Sequence, residues 1–589
     1  MKTVIELINE EVKKAFKEKG YDEKYGAVTL SNRPDLCQYQ CNGALAAAKQ
    51  YKMPPIKIAE EIVEILKENS IFKNISAIMP GFINMTLNEE FFANYLNQMR
   101  LDESFGYEKE KHPQTIVIDY GGPNIAKPLH VGHMRSAVIG ESLKRILRFS
   151  GHKVIGDAHL GDWGTQMGLV IAGLKMRKPD LVYFDENYQG EYPKEAPFTL
   201  SELEEIYPAA SELSKENPEF REEAKHITYL LQNGHRGYTA IWMHMLDVSV
   251  SDLKRIYEIL NVSFDLWKKE SDAQPYIADM VNYLKENNYA RISEGALVVD
   301  VKEETDTKEY PPCMILKSDG ATLYDTTDLA TIVERMKLFD PDRIIYITDK
   351  RQELYFERIF RCARKTKLVK EDTILNFIGF GTMNGKGGKP FKTRDGGVMR
   401  LEVLIKNVTD EVYNKIMENR NMDEDEAREV ASKVGIAALK YGDLSNQVSK
   451  DYIFDVDRFT SFEGDTGPYI LYTIVRIKSI LAKYNELRKD EKMDPVINPA
   501  TSPVENDLML QITKFNEVVK SATEEMAPHK ICQFIFDLAN AFNSFYHETK
   551  IIAEEDANKQ NSWITLITLV LDILLLCIDL LGFEAPERM

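Results

Sequence analysis

The stretch from Thr115 to Asp157 constrains the fold of this chain more than any other. Thr115-Ile116-Val117-Ile118-Asp119-Tyr120 is a short β-branched run of the kind that fills a buried strand. It ends in Gly121-Gly122-Pro123-Asn124, a helical pattern runs over 133–149, and a second strand pattern follows at Lys153-Val154-Ile155-Gly156-Asp157. Strand, glycine turn, helix, strand is the opening unit of a parallel nucleotide-binding sheet. Strand patterns return at 296–301, 343–347 and 374–379.

A chain of 589 residues is too long for one core, so several domains are expected. The reading is α/β: a Rossmann-type nucleotide-binding catalytic domain at 109–459, interrupted by a polar helix-rich insertion at about 178–262. A small α+β N-terminal domain at 1–108 precedes it, and an all-α bundle at 460–589 follows. With 44% hydrophobic and 28% charged residues, the chain is not of the disordered or fibrous class. Its net charge of −19 disfavours non-specific nucleic-acid binding but leaves room for a local basic face.

Six scattered cysteines form no Cys-x-x-Cys pair, and Cys37 and Cys41 stand at helical spacing, so neither a structural zinc site nor a disulfide framework is expected. Charges interrupt the first residues, Met1-Lys2-Thr3-Val4-Ile5-Glu6, which excludes a secretory signal. The apolar run 563–581 imitates a membrane span. Asp572 and Asp579 interrupt it, and each would cost roughly 2.5–3.5 kcal/mol in mid-bilayer. Thr565, Thr568, Asp572 and Asp579 fall on one stripe, so the expectation is a buried bundle helix and no membrane partner.

The strongest local signal is His130-Val131-Gly132-His133 at the head of the helix. Two histidines there can donate hydrogen bonds to a phosphate, Gly132 permits close approach, and the helix N-terminus favours an anion. By itself such a tetrapeptide serves a structural role as readily; its place after a strand and turn points to nucleotide binding. A second signal, Gly385-Lys386-Gly387-Gly388-Lys389-Pro390-Phe391-Lys392-Thr393-Arg394-Asp395-Gly396-Gly397, is a glycine-rich basic loop after a strand. Such a loop can close over a triphosphate and supply charge where it develops.

His130 to His133 resembles the HIGH signature of class I aminoacyl-tRNA synthetases. Residues 119–136, Gly161-Asp162-Trp163-Gly164-Thr165-Gln166-Met167-Gly168, Tyr324-x-Thr-x-Asp328, Gly464-Asp465-Thr466-Gly467-Pro468-Tyr469 and the closing Pro586-Glu587-Arg588-Met589 resemble the arginyl-tRNA synthetases in order along the chain. The resemblance implies ligation of L-arginine to tRNA(Arg) with ATP and Mg2+, through an arginyl-adenylate, in a cytoplasmic enzyme that is a monomer. It also implies that bound tRNA is needed before arginine is activated. His130, Gly132, His133 and Lys392 would then bind ATP. The basic loop resembles the KMSKS signature with Thr393 in place of its second lysine, and Lys127 stands where the family's compensating lysine does.

Arginine presents a planar, permanently charged fork of donors, which calls for carboxylates and an aromatic or hydroxyl partner. By the resemblance, Tyr324 and Asp328, one helical turn apart, are such residues and Glu270 is a second carboxylate. Asn124, His133 and Gln352 would hold the amino-acid end, with Gly122 and Pro123 in the same turn. At Gly121-Gly122 the family commonly carries a serine, so a backbone contact would have to stand in for that side chain. Asp119 reads equally as a ligand or as a strand-end residue.

In the helical pattern after Pro468, Tyr469, Tyr472, Arg476 and Lys483 share one face beside an apolar stripe of Ile470, Ile474, Ile477 and Leu481. Aromatic rings interleaved with cations suit an unstacked anticodon loop, although a charged face can simply be solvated. Tyr546 and Met589 are further candidate tRNA contacts, the first also readable as a core tyrosine. Gln38 and Tyr39, within Gln38-Tyr39-Gln40-Cys41-Asn42, match a family segment that touches the tRNA elbow, and read equally as helix-start capping and packing. Two rivals are a nucleotidyltransferase acting on a small metabolite and a catalytically silent tRNA-binding relative. The first has no use for the terminal bundle, and the second would be expected to lose His130, His133 or Asp328. A related synthetase for another amino acid is a milder rival, against which Tyr324 with Asp328 speaks for a guanidinium.

Overall fold

A computed structural model of the chain describes residues 1–307, 309–389, 391, 399–418, 422–488 and 494–589. They form two compact units, one of residues 110–461 with 580–583 and the other of 1–109, 462–579 and 584–589.

The first unit is built on a four-stranded parallel sheet in the order Ile374–Phe380, Arg343–Asp349, Thr115–Asp119, Lys153–Asp157. Ile118 lies between Ile345 and Gly156 in register. Ile116, Val117 and Ile118 are fully buried, as a strand covered on both faces requires. The first crossover runs from Thr115–Asp119 out to Lys153–Asp157, and the later strands are added on the other side. The chain therefore reverses its direction of growth between the two central strands, and the crevice beyond their carboxyl ends is where such sheets bind ligands.

The helix Val131–Phe149 covers the sheet, with Gly140 facing Tyr120 so closely that a Cβ would lie 2.2 Å from the ring. Arg135 is buried, donating to Asp443 at 2.9 Å and to the Gly381 carbonyl at 2.7 Å. The insertion is helical, at Leu200–Glu216, Pro218–Gln232 and Arg236–Ile259. It packs on the helix Thr165–Arg177, where Gly168 and Gly173 let Ala224 and Ile206 approach. The strand expected at 296–301 forms over Ala296–Val299, in a separate antiparallel sheet with Arg291–Ser293 and Cys313–Leu316. A β-branched run announces a strand, whereas its partner depends on contacts distant in sequence.

The second unit pairs a four-stranded antiparallel sheet with helices from both ends of the chain. Its strands run Val28–Leu30, Tyr39–Cys41, Phe82–Leu87, Phe72–Ile78 across the sheet. Cys41 is thus in a strand rather than on a helix. Asn97 donates to the Ile497 carbonyl at 2.7 Å and Phe105 meets Phe515 edge-on at 5.8 Å, so the segments read apart as 1–108 and 460–589 share one core. Among the described residues one helix, Ala557–Leu580, is long and apolar enough to cross a membrane, and 72% of its apolar window is buried inside the protein. Its polar stripe is divided: Asp572 and Asp579 are exposed, whereas Thr565 is buried and donates to the Asn561 carbonyl at 2.8 Å.

Candidate active site at the sheet switch point

A cleft of about 720 Å³ opens at the carboxyl ends of the two central strands. Asp119 to Gly122 and Tyr346 to Asp349 form its floor. Ser136 ties these two ends together, accepting from Gly121 N at 2.9 Å and donating to the Ile347 carbonyl at 2.7 Å. Nine of the residues expected to contact ATP or arginine line this one cleft, Gly122, Asn124, His130, Gly132, His133, Glu270, Tyr324, Asp328 and Gln352, and Asp119 lines it with them.

The two histidines begin the helix Val131–Phe149 and cap it reciprocally. Gly132 N donates to His130 Nδ1 at 3.0 Å, and His130 N donates to His133 Nδ1 at 3.1 Å. Because each Nδ1 accepts, each neutral ring carries its proton on Nε2. The rings stack at 3.7 Å. Burial, with Lys127 nearby, holds the His130 pKa below its ordinary value; burial, His130 and Lys127 bring that of His133 down to about 3. Both imidazoles are therefore neutral donors at physiological pH, pre-aligned by the helix N-terminus for an anionic ligand.

Opposite them stand carboxyl groups that resist ionisation. Burial and then the charge of Asp328 raise the Glu270 pKa to about 7. Burial raises that of Asp328 to about 6, although Tyr355 donates a short hydrogen bond to its carboxylate. Tyr324, at the head of the helix Tyr324–Phe339, exposes 66% of its surface beside them. Two acids made reluctant to charge are the complement of a ligand that brings a fixed positive charge.

At the floor of the cleft lies a polar layer of which the sequence announced only Asp119. Arg335 donates to Asp119 at 2.6 Å and to Asp157 at 2.8 Å, and His159 Nδ1 stands 3.6 Å from Asp157. Asp119, Asp157 and His159 are close enough together to ligate an ion, but the Arg335 guanidinium already sits against both carboxylates and fills the cationic place. Burial opposes a charge on His159, yet Asp157 and Asp119 outweigh it and hold its pKa above the ordinary value.

Other expectations lie elsewhere. Pro123, between Gly122 and Asn124 of the cleft lining, is buried, its carbonyl accepting from Gly161 N at 3.2 Å, so that it shapes the turn. Gly122 has no room for a serine, since a Cβ would stand 2.0 Å from the His159 carbonyl oxygen. Lys127 does not line the cleft; its ammonium sits 4.2 Å above the Tyr207 ring. Lys392 and Thr393 lie outside the described residues.

In the second unit, the helix Gly467–Leu487 buries Ile470, Ile474 and Ile477 and turns Tyr472 and Lys483 outward. The Arg476 guanidinium lies between two exposed rings, 4.8 Å from Tyr472 and 5.3 Å from Tyr546. Tyr469 points to the helix His529–Glu548, donating to Asn540 at 2.7 Å. Tyr39 is 1% exposed in the strand Tyr39–Cys41, which removes its side chain as an RNA contact; period-two burial in so short a strand escaped the sequence reading. Gln38 is half-buried and accepts from Leu87 N at 2.8 Å, and Met589 is half-buried at the chain end.

A family model described as tRNA synthetases class I (R), catalytic domain, matches residues 96–456. The chain belongs to the arginyl-tRNA synthetases. Models described as the arginyl tRNA synthetase N terminal domain and the DALR anticodon binding domain match residues 2–87 and 470–589. An Arginine--tRNA ligase of Agathobacter rectalis is 62% identical, and one of Alkaliphilus oremlandii 59%, each over 100% of both chains. The crystal structure of an arginyl-tRNA synthetase from Plasmodium falciparum superposes with a TM-score of 0.79 at 26% identity, covering 100% of both chains. As for other arginyl-tRNA synthetases, the reaction is aminoacylation of tRNA(Arg) with arginine for protein synthesis, with ATP as a substrate.

Proposed function

We propose that the switch-point cleft performs both steps of arginine ligation. In the first, an arginine carboxylate oxygen attacks the α-phosphorus of ATP in line, forming arginyl-adenylate and releasing pyrophosphate. In the second, the 2′-hydroxyl of the terminal adenosine of tRNA(Arg) attacks the adenylate carbonyl, and AMP leaves. The observation that carries this reading is the pairing, in one cleft, of two neutral histidines at a helix N-terminus with two carboxyls whose pKa values are raised.

Asp328 and Glu270 take the guanidinium, with the Tyr324 hydroxyl beside them. Asn124, Gln352, His133 and the Gly122 backbone hold the amino and carboxylate groups. The Nε2–H groups of His130 and His133 donate to the ATP phosphates, and Gly132 lets those phosphates come close. Lys127 and Lys392 stabilise the departing pyrophosphate by charge alone, so catalysis here is positioning and electrostatics. Magnesium enters as part of the ATP substrate, because Arg335 already occupies the acidic cluster at the floor of the cleft.

The Tyr472–Arg476–Tyr546 stack, with Tyr469 and Lys483 on the same helix and Met589 at the terminus, reads the anticodon loop; Gln38, just before the strand Tyr39–Cys41, faces the tRNA elbow. The domain roles follow as 1–108 for the elbow, 109–459 for chemistry and 460–589 for the anticodon. The enzyme is cytoplasmic and works as a monomer on this reading, and the helix Ala557–Leu580, mostly buried inside the protein, serves as a core helix rather than a membrane span.

The test is aminoacylation of total tRNA with each labelled amino acid, using wild type and Asp328→Ala. Charging by arginine alone, lost in the variant, supports substrate and pocket together. Binding of tRNA with no amino acid charged overturns the catalytic assignment.

A further inference from the structure

The inserted helix Leu200–Glu216 reaches the two cations that flank His130. Tyr207 offers its ring to Lys127 at 4.2 Å. One turn earlier Glu204 pairs with Arg400, through Oε2 and Nη2. Residues three apart share a helix face. The packing face of this helix is a different one, formed by buried Leu203, Ile206 and Ala210.

Both cations are joined to the histidine loop through the backbone. Lys127 is three residues before His130. Arg400 is the antiparallel bridge partner of His130, with Val131 N donating to the Met399 carbonyl at 3.0 Å and Leu401 N to the Leu129 carbonyl at 2.8 Å. Tyr207 also stands near Tyr324, where its phenol contributes, after burial and Glu270, to a raised Tyr324 pKa. The same helix face therefore touches Lys127 and Arg400 and stands near Tyr324 of the cleft.

The two contacts differ in chemistry. The Glu204 side chain is 8% exposed against 48% for Arg400, so a largely desolvated carboxylate holds the arginine and neutralises it as an anchor. An aromatic face attracts an ammonium without carrying net charge, so Tyr207 orients Lys127 and leaves its full charge for a phosphate. A carboxylate in that place would cancel it.

We infer that Glu204 and Tyr207 are positioning residues for arginine activation: Glu204 pins the backbone paired with His130 through Arg400, and Tyr207 aims Lys127 at the ATP phosphates. The inference rests on the reading of Lys127 as a phosphate-binding residue.

The experiment is ATP–pyrophosphate exchange with tRNA(Arg) present, for Tyr207→Leu, Tyr207→Phe, Glu204→Gln and Lys127→Ala, with melting temperatures recorded. Tyr207→Leu is expected to lower kcat/KM for ATP about tenfold with the KM for arginine unchanged. Tyr207→Phe keeps the ring and retains wild-type kinetics. Glu204→Gln lowers ATP kinetics in the same sense. In a Lys127→Ala background Tyr207→Leu adds no further loss, because the contact it removes is already gone. If Tyr207→Leu leaves ATP kinetics intact while Lys127→Ala slows exchange, the inference falls and the Lys127 reading stands. Wild-type exchange by Lys127→Ala overturns both. An equal Tyr207→Leu loss in either background, or a loss tracking the melting temperature, assigns Tyr207 to folding and overturns the inference.

Discussion

A guanidinium does not shed its proton, so a pocket selecting it has to supply the complementary charge in a place that opposes ionisation. Glu270, with its pKa raised to about 7, and Asp328, raised to about 6, are in that position. Asp328→Asn is expected to cost about 2–5 kcal/mol in kcat/KM for arginine, because the guanidinium is left buried against a neutral amide. Steady-state kinetics at fixed ATP and tRNA measure it, and a loss below tenfold would remove Asp328 from the pocket. The raised values also predict a pH dependence. In the proposed pocket arginine would bind the ionised pair, so kcat/KM for arginine is expected to fall as pH drops through about 7 toward 6. Stability has the opposite sign in the free protein. The folded state binds more protons than the unfolded state between the ordinary Glu value of 4.5 and about 7, so this pair's contribution is present at low pH and is lost as pH rises through that window. Arginine offsets that loss, and its increment in melting temperature should be larger at pH 8 than at pH 6; an equal increment at both would contradict the raised values.

Single elements carried most of what the sequence disclosed. The buried strand at 115–119, its glycine turn and the histidine helix were legible because strand composition, turn residues and helix start are local signals. The helix Gly467–Leu487 was legible for the same reason, with Ile470, Ile474 and Ile477 buried on one side and Tyr472 and Lys483 exposed on the other. What was not legible depended on contacts far apart in sequence. Arg335 bridges Asp119 and Asp157 from a helix more than a hundred residues away, and Tyr355 reaches Asp328 from another helix. Lys127 found Tyr207 and Arg400 found Glu204 by folding of the insertion, which no local pattern announces. Conversely, His130 and His133 pair across three residues, so their geometry was implicit in their spacing. The half-buried Arg476, set against the exposed rings of Tyr472 and Tyr546, yields a prediction at this scale. Arg476→Ala should weaken tRNA binding and reduce its salt slope by about one, as loss of one phosphate contact does, with arginine and ATP KM values unchanged. Filter binding across a salt series decides it, and an unaltered affinity would return this face to solvent.

A molecule carrying a net charge of −19 repels a polyanion at long range, so its affinity for tRNA has to come from short-range patches rather than from the whole field. Chemistry resides in the unit of residues 110–461, whereas the aromatic–basic face belongs to the other unit. The chain passes between the units at 109–110 and 461–462, and again near its C-terminal end at 579–580 and 583–584. One tRNA held at its anticodon by one unit and presenting its terminal adenosine to the other is a ligand common to both. A ligand contacting two units favours the arrangement in which both contacts are made, by as much as its differential affinity for that arrangement. Arginine activation is accordingly expected to be slow without tRNA and to rise on its addition, and the concentration of tRNA needed should report affinity at the aromatic–basic face of the other unit. Arg476→Ala should therefore shift the half-saturating tRNA concentration of ATP–pyrophosphate exchange by the factor lost in binding, leaving the rate at saturating tRNA unchanged. Exchange at full rate without tRNA would show that the catalytic unit needs no such coupling. A lowered plateau in Arg476→Ala would show that this arginine does more than bind, since a purely binding residue is made good by mass action.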